Sequence, residues 1–230
     1  MTTQTTRQGG QDGVNTETHV PPLGPGARLV VLVSGAGSNM RDLVAASGDP
    51  AWGAAVVAVG ADRPCPGIDW AQEHGIDTFV HPLERGADRH VWDRELADLV
   101  ARHNPDLVVC AGYLKLLGPA MLRAFPGRIL NTHNSLLPAF PGVRAPAEAV
   151  DAGVKVAGAT LFVVDEGVDT GVILAQCVVP VMYDDDAATL LERIKVAERA
   201  QLVDTVGAMV RGGWSIRGRR SRVGKGRGAR

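Results

Sequence analysis

The sequence predicts an α/β fold: a mostly parallel central sheet flanked by helices, with an antiparallel hairpin added towards the C-terminal end. Three observations predict it. Short, continuous, β-branched runs alternate with helix-like segments between residues 28 and 133, as in strands covered on both faces. After residue 155, two long strand-like runs follow each other with no helix between them. One long amphipathic segment, residues 184–210, then closes the pattern. The 230-residue length fits a single domain. Apolar residues make up 45% of the chain and aromatics 4%, so Val, Leu, Ile and Ala must build the core.

Each element can be justified in order. Residues 1–27 are rich in Thr, Gln, Gly and Pro and end in PPLGPG. They show no apolar period and read as a disordered tail. The folded domain is expected over 28–214. Its first strand is LVVLVSG (29–35), followed by strands at 54–62, 77–82, 105–113 and 128–133. Helices are expected at 39–47, 67–75, 88–103 and 118–125. In the third of these, Val91, Leu96, Leu99 and Val100 can share one apolar face. The runs at 156–167 and 171–181 form the hairpin, with EGVDTG between them. Asp184, Asp185 and Asp186 suit the positive end of the last helix. Residues 215–230 are expected to be a basic, disordered tail, and deleting 217–230 is expected to leave turnover nearly unchanged.

The formal charge of −1 is an average over unlike segments. Residues 211–230 carry eight Lys or Arg and no acid, leaving 16 basic against 25 acidic residues elsewhere, a net of −9. Such a tail alone gives only salt-sensitive, unspecific contact with nucleic acid, and an acidic body repels phosphates. No specific nucleic-acid partner is therefore expected. The first 28 residues hold no apolar signal core, and no run reaches the ~20 apolar residues of a membrane span. Cys65, Cys110 and Cys177 form no C-x-x-C pair. A reduced, cytoplasmic, soluble protein is the reading. The six His residues show no metal-ligand spacing, so no metal is expected.

Four places could carry chemistry. SGAGSNM (34–40) joins the first strand to the first helix. Gly35 and Gly37 allow a tight turn, and Ser38 and Asn39 fit the helix cap. The free N–H groups there make an anion site. Met40 stands where the dinucleotide fingerprint needs Gly, and no G-K-[ST] follows. An ordinary turn fits the same residues. In NTHNSLLPAFPG (131–142), Asn131 and His133 point to one side at a strand end. Asn offers an amide donor, and His moves protons near neutral pH. DEGVDTG (165–171) is either a solvated acidic turn or the source of an acid that pairs with His133. Arg89 opens a helix, where a basic residue opposes the dipole.

Together these pieces resemble the folate-dependent formyltransferase family. The likeness spans about residues 28–214 and rests on SGAGSN, PDLVVCAGYLKLL, N-T-H-x-S-L-L-P-x-F-P-G, D-E-G-V-D-T-G and ILAQ, in that order. It implies a single-domain Rossmann-like fold and transfer of a formyl group from 10-formyltetrahydrofolate to an amine. SGxGSN favours the branch whose acceptor is glycinamide ribonucleotide, in purine synthesis. The resemblance implies that Gly37, Ser38 and Asn39 hold the ribonucleotide phosphate and that Glu198 contacts the same substrate. It implies that Arg89 and the stretch Leu114, Lys115, Leu116 and Leu117 serve the folate. Asn131, His133 and Asp169 match the catalytic trio, with Asn131 also at the folate. Both partners are then small molecules, and the chain is a monomer or homodimer.

Four positions depart from the family pattern: Asn134, Arg144, Phe162 and Val172 stand where Pro, His, His and Pro are common. Arg144 and Phe162 bear on acceptor choice. Three alternatives stay open on the sequence. One is a related enzyme acting on an amino sugar or methionyl-tRNA, or hydrolysing formyltetrahydrofolate. The tRNA enzyme resembles a chain with an extra C-terminal domain, and the hydrolase one with an extra N-terminal domain. Another is an impaired relative that only binds folate or nucleotide. The last is a nucleic-acid binder using the basic tail.

Overall fold

The computed structural model describes residues 17–224. The chain opens with β1 (Glu17–Val20), β2 (Ala27–Val33), α1 (Ser38–Ser47) and β3 (Ala54–Ala61). It continues through α2 (Pro66–Glu73), β4 (Asp77–Val80), α3 (Arg89–Ala101), β5 (Leu107–Cys110), α4 (Pro119–Ala124) and β6 (Ile129–His133). Then come α5 (Ala145–Asp151), β7 (Val156–Val163), β8 (Val172–Pro180), α6 (Ala187–Gly212), β9 (Trp214–Arg217) and β10 (Arg220–Val223). Seven strands form the central sheet in the order β4-β3-β2-β5-β6-β7-β8. From β4 to β6 neighbours run parallel; β7 is antiparallel to β6, and β8 to β7. The hairpin read from the sequence is therefore β7–β8, and the fold is α/β as expected.

Alternation along β2 explains the two layers. Leu29, Val31 and Val33 enter a core built with α1, α2 and α6, while Val30 and Leu32 enter one built with α3 and α4. β6 splits the same way: Leu130 joins the first core and Ile129 the second. In α3, Leu96 and Val100 face inward as expected, but Trp92, Asp93 and Ala97 are the other buried residues. Val91 is 38% exposed, because the helix begins at Arg89 and turns that position to solvent.

The expected tails are corrected where the structure describes them. Residues 17–20 form β1, which pairs antiparallel with β9, and β10 pairs with the other edge of β9. This second sheet is anchored by Trp214, 2% exposed, and by Val20, Ile216 and Val223 against the first core. WSIR and RSRV alternate over only four residues each, too short for a hydrophobic period to show. Residues 1–16 and 225–230 lie outside the described residues. Helix α5 was not read from the sequence at all; it is seven residues long, and its Ala149 packs in one cluster with Phe140 of the loop after β6.

Candidate active site

The strand order fixes where a ligand can sit. The chain leaves β2 for β3 and β4 on one side, then crosses to β5 and β6 on the other. The carboxyl ends of β2 and β5 thus border a topological switch, the usual crevice of open parallel sheets. The two loops that leave these ends are tied together: Leu114 N–H donates to Ser34 Oγ at 2.9 Å, and Ala111 N–H to Leu32 O at 2.8 Å.

On the β2 side, Gly37 is the N-cap of α1, with φ +71°. No side chain caps this helix, so Ser38 and Asn39 do not play the capping part expected of them. The first N–H groups of α1 consequently stay free for an anion. The positive φ favours glycine at Gly37, and a Cβ there would also press on Met40 Cε at 2.9 Å and the Gly67 backbone at 3.3 Å. Asn39 is 7% exposed, and its Oδ1 has no partner. Helix α1 packs on α6, where Arg199 meets Asp42 at 3.1 Å. Glu198 of α6 is 4% exposed and accepts a 2.7 Å hydrogen bond from Thr132 Oγ1. Thr132 alternates with Asn131 and His133 along β6. Glu198 therefore lies on the α1 side of the sheet, and the trio lies at the edge of the other.

The trio's pairing is present. His133 Nδ1 is 3.6 Å from Asp169 Oδ2, with both side chains 11% exposed. His133 Nε2 is 2.8 Å from Phe140 O, and a carbonyl can only accept, so Nε2 carries a proton. Both ring nitrogens thus face acceptors, which fixes the plane of the ring. Asp169 Oδ2 also accepts from Gly142 N–H at 2.8 Å. Asp169 has φ +54°, uncommon for a residue with a side chain and tolerated best by Asp and Asn. Its loop is knotted from within: Asp165 Oδ1 accepts from Thr170 Oγ1 at 2.6 Å and from Gly167 N–H at 3.1 Å.

On the β5 side, Asp88 caps α3 through His90 and Val91 N–H groups at 2.7 and 3.3 Å. Arg89 thereby starts the helix, donates to Leu116 O and stacks 5.7 Å above Trp92. The residue that looked misplaced on the dipole is thus joined to the 114–117 segment. Leu114 and Leu116 are exposed, Leu117 packs on the α3–α4 core, and Lys115 Nζ lies 4.0 Å from Asp62. Burial pushes the Asp62 carboxyl up, but hydrogen bonds from Arg63 and Ser34 and the nearby cations outweigh it and hold the group low. A cavity of about 280 Å³ follows, lined by Leu122, Arg123, Phe125, Val164, Asp165 and Glu166 among others. Burial pushes the Cys110 thiol up to about 12, so it stays a neutral core group.

Residues 27–206 match the family model for a formyl transferase. The chain belongs to that family. It is 50% identical over 207 residues to a phosphoribosylglycinamide formyltransferase of Mycobacterium tuberculosis, covering 90% of this chain and 95% of that one. A glycinamide ribonucleotide transformylase from Symbiobacterium toebii superposes with a TM-score of 0.84 at 37% identity, covering 87% and 95%. A formyltetrahydrofolate deformylase from Pseudomonas syringae superposes at 0.80 with 25% identity, and the match spans 66% of that chain.

Beside the family's recognisable residues stand others that sequence reading missed. Thr160 is wholly buried; it donates to Ser135 O at 2.6 Å and accepts from Leu137 N–H at 3.0 Å, while Gln176 Nε2 donates to Leu137 O at 2.9 Å. These bonds hold the loop after His133. Asp93 is 2% exposed and accepts from Gly118 and Ala120 N–H groups at 2.7 Å each, fixing the start of α4. Thr160 shows in the sequence only as a polar residue inside an apolar run, Gln176 only as the last residue of ILAQ, and Asp93 does not stand out in a charged helix. Among the departures, Phe162 is buried directly across from Asn131, and the buried Nδ2 of Asn134 has no partner. Val172 sits at the start of β8 opposite Val163, and Arg144 precedes α5. Among the described residues, no three His, Cys, Asp or Glu side chains gather as a metal site, and no helix is long and apolar enough to cross a membrane.

Proposed function

We propose that the protein transfers the formyl group of 10-formyltetrahydrofolate to the primary amine of 5'-phosphoribosylglycinamide, a step of purine synthesis, in the cytoplasm. The observation that carries this reading is the His133–Asp169 pair, 3.6 Å apart beside Asn131 at the end of β6. The loop that carries Asp169 also supplies Asp165 and Glu166 to a cavity with Leu122, Phe125 and Val164, and the helix start that follows β2 is uncapped. The likeness to phosphoribosylglycinamide formyltransferases along nearly the full chain supports the acceptor.

In this reading the phosphate takes the free N–H groups at Gly37, Ser38 and Asn39, and the orphaned Asn39 Oδ1 accepts from a ligand hydroxyl or amine. Glu198 reads the ribonucleotide from α6. Arg89 meets a folate carboxylate. Leu122, Phe125 and Val164 offer the flat ring an apolar wall, beside Leu114, Lys115, Leu116 and Leu117. The folate supplies an electrophilic formyl carbon. As the amine adds to it, negative charge grows on the formyl oxygen. Asn131 donates there, and His133 does so by exchanging Phe140 O for that oxygen. Asp169 keeps the ring oriented. One such donor contributes roughly 3–4 kcal/mol. The proton lost by the amine passes to the folate nitrogen, which leaves. Holding both reactants in one crevice removes much of the entropic barrier.

The test is direct. Purified protein is given both substrates, and folate absorbance is followed. Turnover that requires the ribonucleotide is expected. Formate release without any amine would instead mark a hydrolase, and no turnover by folded protein would refute the reading.

A further inference from the structure

We infer that Arg219 is a positioning residue for the reaction: from the turn of the C-terminal hairpin it grips the backbone immediately after Asp169. β9 and β10 are joined by the two residues Gly218 and Arg219, with Arg217 paired to Arg220. Gly218 has φ +58°, the left-handed value needed at the first position of such a turn. That turn aims Arg219 at the 165–171 loop. Its Nη1 donates to Thr170 O at 2.6 Å and its Nη2 to Gly171 O at 3.2 Å. A planar fork across two successive carbonyls fixes direction as well as distance. Next to it, Ser221 Oγ donates to Ile173 O at 2.6 Å.

The grip matters because of what it follows. Asp169 holds a left-handed backbone, a conformation that persists only when its surroundings enforce it. Upstream, Asp165 ties the loop to itself through Gly167 and Thr170. Downstream, Gly171 packs so closely on Val163 O that a Cβ would stand 1.8 Å from it. Arg219 closes the remaining side. Its own base is secured by buried Trp214, by Gly224 N–H on Gly213 O at 2.7 Å and by β1 on the far edge of β9. Arg219 is itself exposed, so its bonds add little to global stability. Its effect falls on the angle at which Asp169 meets His133. The hairpin at 214–223 is then part of the site's scaffold, so deleting 217–230 is expected to lower turnover instead of leaving it nearly unchanged.

The inference rests on the formyl-transfer reading for its kinetic arm, and a second arm needs no substrate. Arg219→Ala is expected to lower kcat about ten- to hundredfold, as small misplacements of catalytic groups do, while KM for both substrates moves less than about twofold. Arg219→Lys, which keeps one donor, is expected to recover part of the loss. In an Asp169→Ala background, Arg219→Ala is expected to cost nothing more, since it acts through that residue. In the free protein, the Gly142 amide, which donates to Asp169, is expected to change its NMR shift in Arg219→Ala. If the wild type shows no turnover, the function reading fails and the Gly142 shift alone decides the brace. If Arg219→Ala does not fold, Arg219→Lys carries the same readings with smaller amplitude. Wild-type kcat in the variant, an equal loss in the Asp169→Ala background, or an unmoved Gly142 amide each overturns the inference.

Discussion

At the scale of single residues, the site depends on a few groups held by short bonds to backbone. His133 sits between Phe140 O and Asp169 Oδ2, and Asp169 is shared with Gly142 N–H. His133→Ala and Asp169→Ala are each expected to lower kcat on the order of a hundredfold or more, with folate binding, measured by fluorescence titration, largely kept. Full activity in Asp169→Ala would break the pairing argument. Gly37 answers to a different constraint. With φ +71° and Met40 and Gly67 against its missing Cβ, Gly37→Ala is expected to cost about 1–2 kcal/mol in urea unfolding. It should also raise KM for the ribonucleotide several-fold while folate KM stays level. Most of these residues were legible in the sequence, because a motif is a string of residue types. Thr160, Gln176 and Asp93 were not. Each bonds to backbone at least twenty-three positions away, and no local pattern announces such a bond.

At the scale of elements, helix ends decide what binds and what holds. α1 begins with a bare glycine cap and leaves donors free, whereas α6 begins with Asp186 in a reciprocal cap with Thr189. Beside that cap, Arg193 hydrogen bonds and the Met182 N–H hold Asp185 down at about 2, against an ordinary 3.8. A lowered carboxyl pKa gives stability that is full above the ordinary value and is lost as pH falls through the folded one. Asp185→Asn is therefore expected to melt below the wild type at neutral pH. The gap should close as pH drops from about 4 to about 2, and thermal scans across that range would show it. A constant gap would mean that packing, not charge, is responsible. The inner strands of the central sheet were readable because β2 and β5 are continuous apolar runs buried on both faces, and the others carry apolar runs bounded by turn residues. β1, β9 and β10 were not, since four polar-rich residues acquire strand character only from the partner beside them.

At the scale of the whole molecule, the near-zero charge is the sum of an acidic body and a basic end. Both proposed ligands are anions, so their capture is local, through α1 N–H groups and Arg89, not through long-range steering. The basic end begins as a hairpin seated on the domain. Trp214 is the anchor, 2% exposed in the core shared with α1 and α6. Trp214→Ala is expected to cost about 3–5 kcal/mol in denaturant unfolding and to loosen the hairpin. A loss below about 1 kcal/mol would show that the hairpin is not seated on this residue.

By itself the sequence determined the α/β class, the added antiparallel hairpin and the family, and it named the motif residues of the candidate site. These follow from local composition, from period and from short strings, all of which a linear chain displays. Only the tertiary structure decided that Gly37 leaves α1 uncapped, that Glu198 and the trio lie on opposite sides of β6, and that the C-terminal hairpin reaches the Asp169 loop. Those facts are contacts between distant segments. They exist only once burial of the two cores has fixed the sheet order and brought the strand ends together.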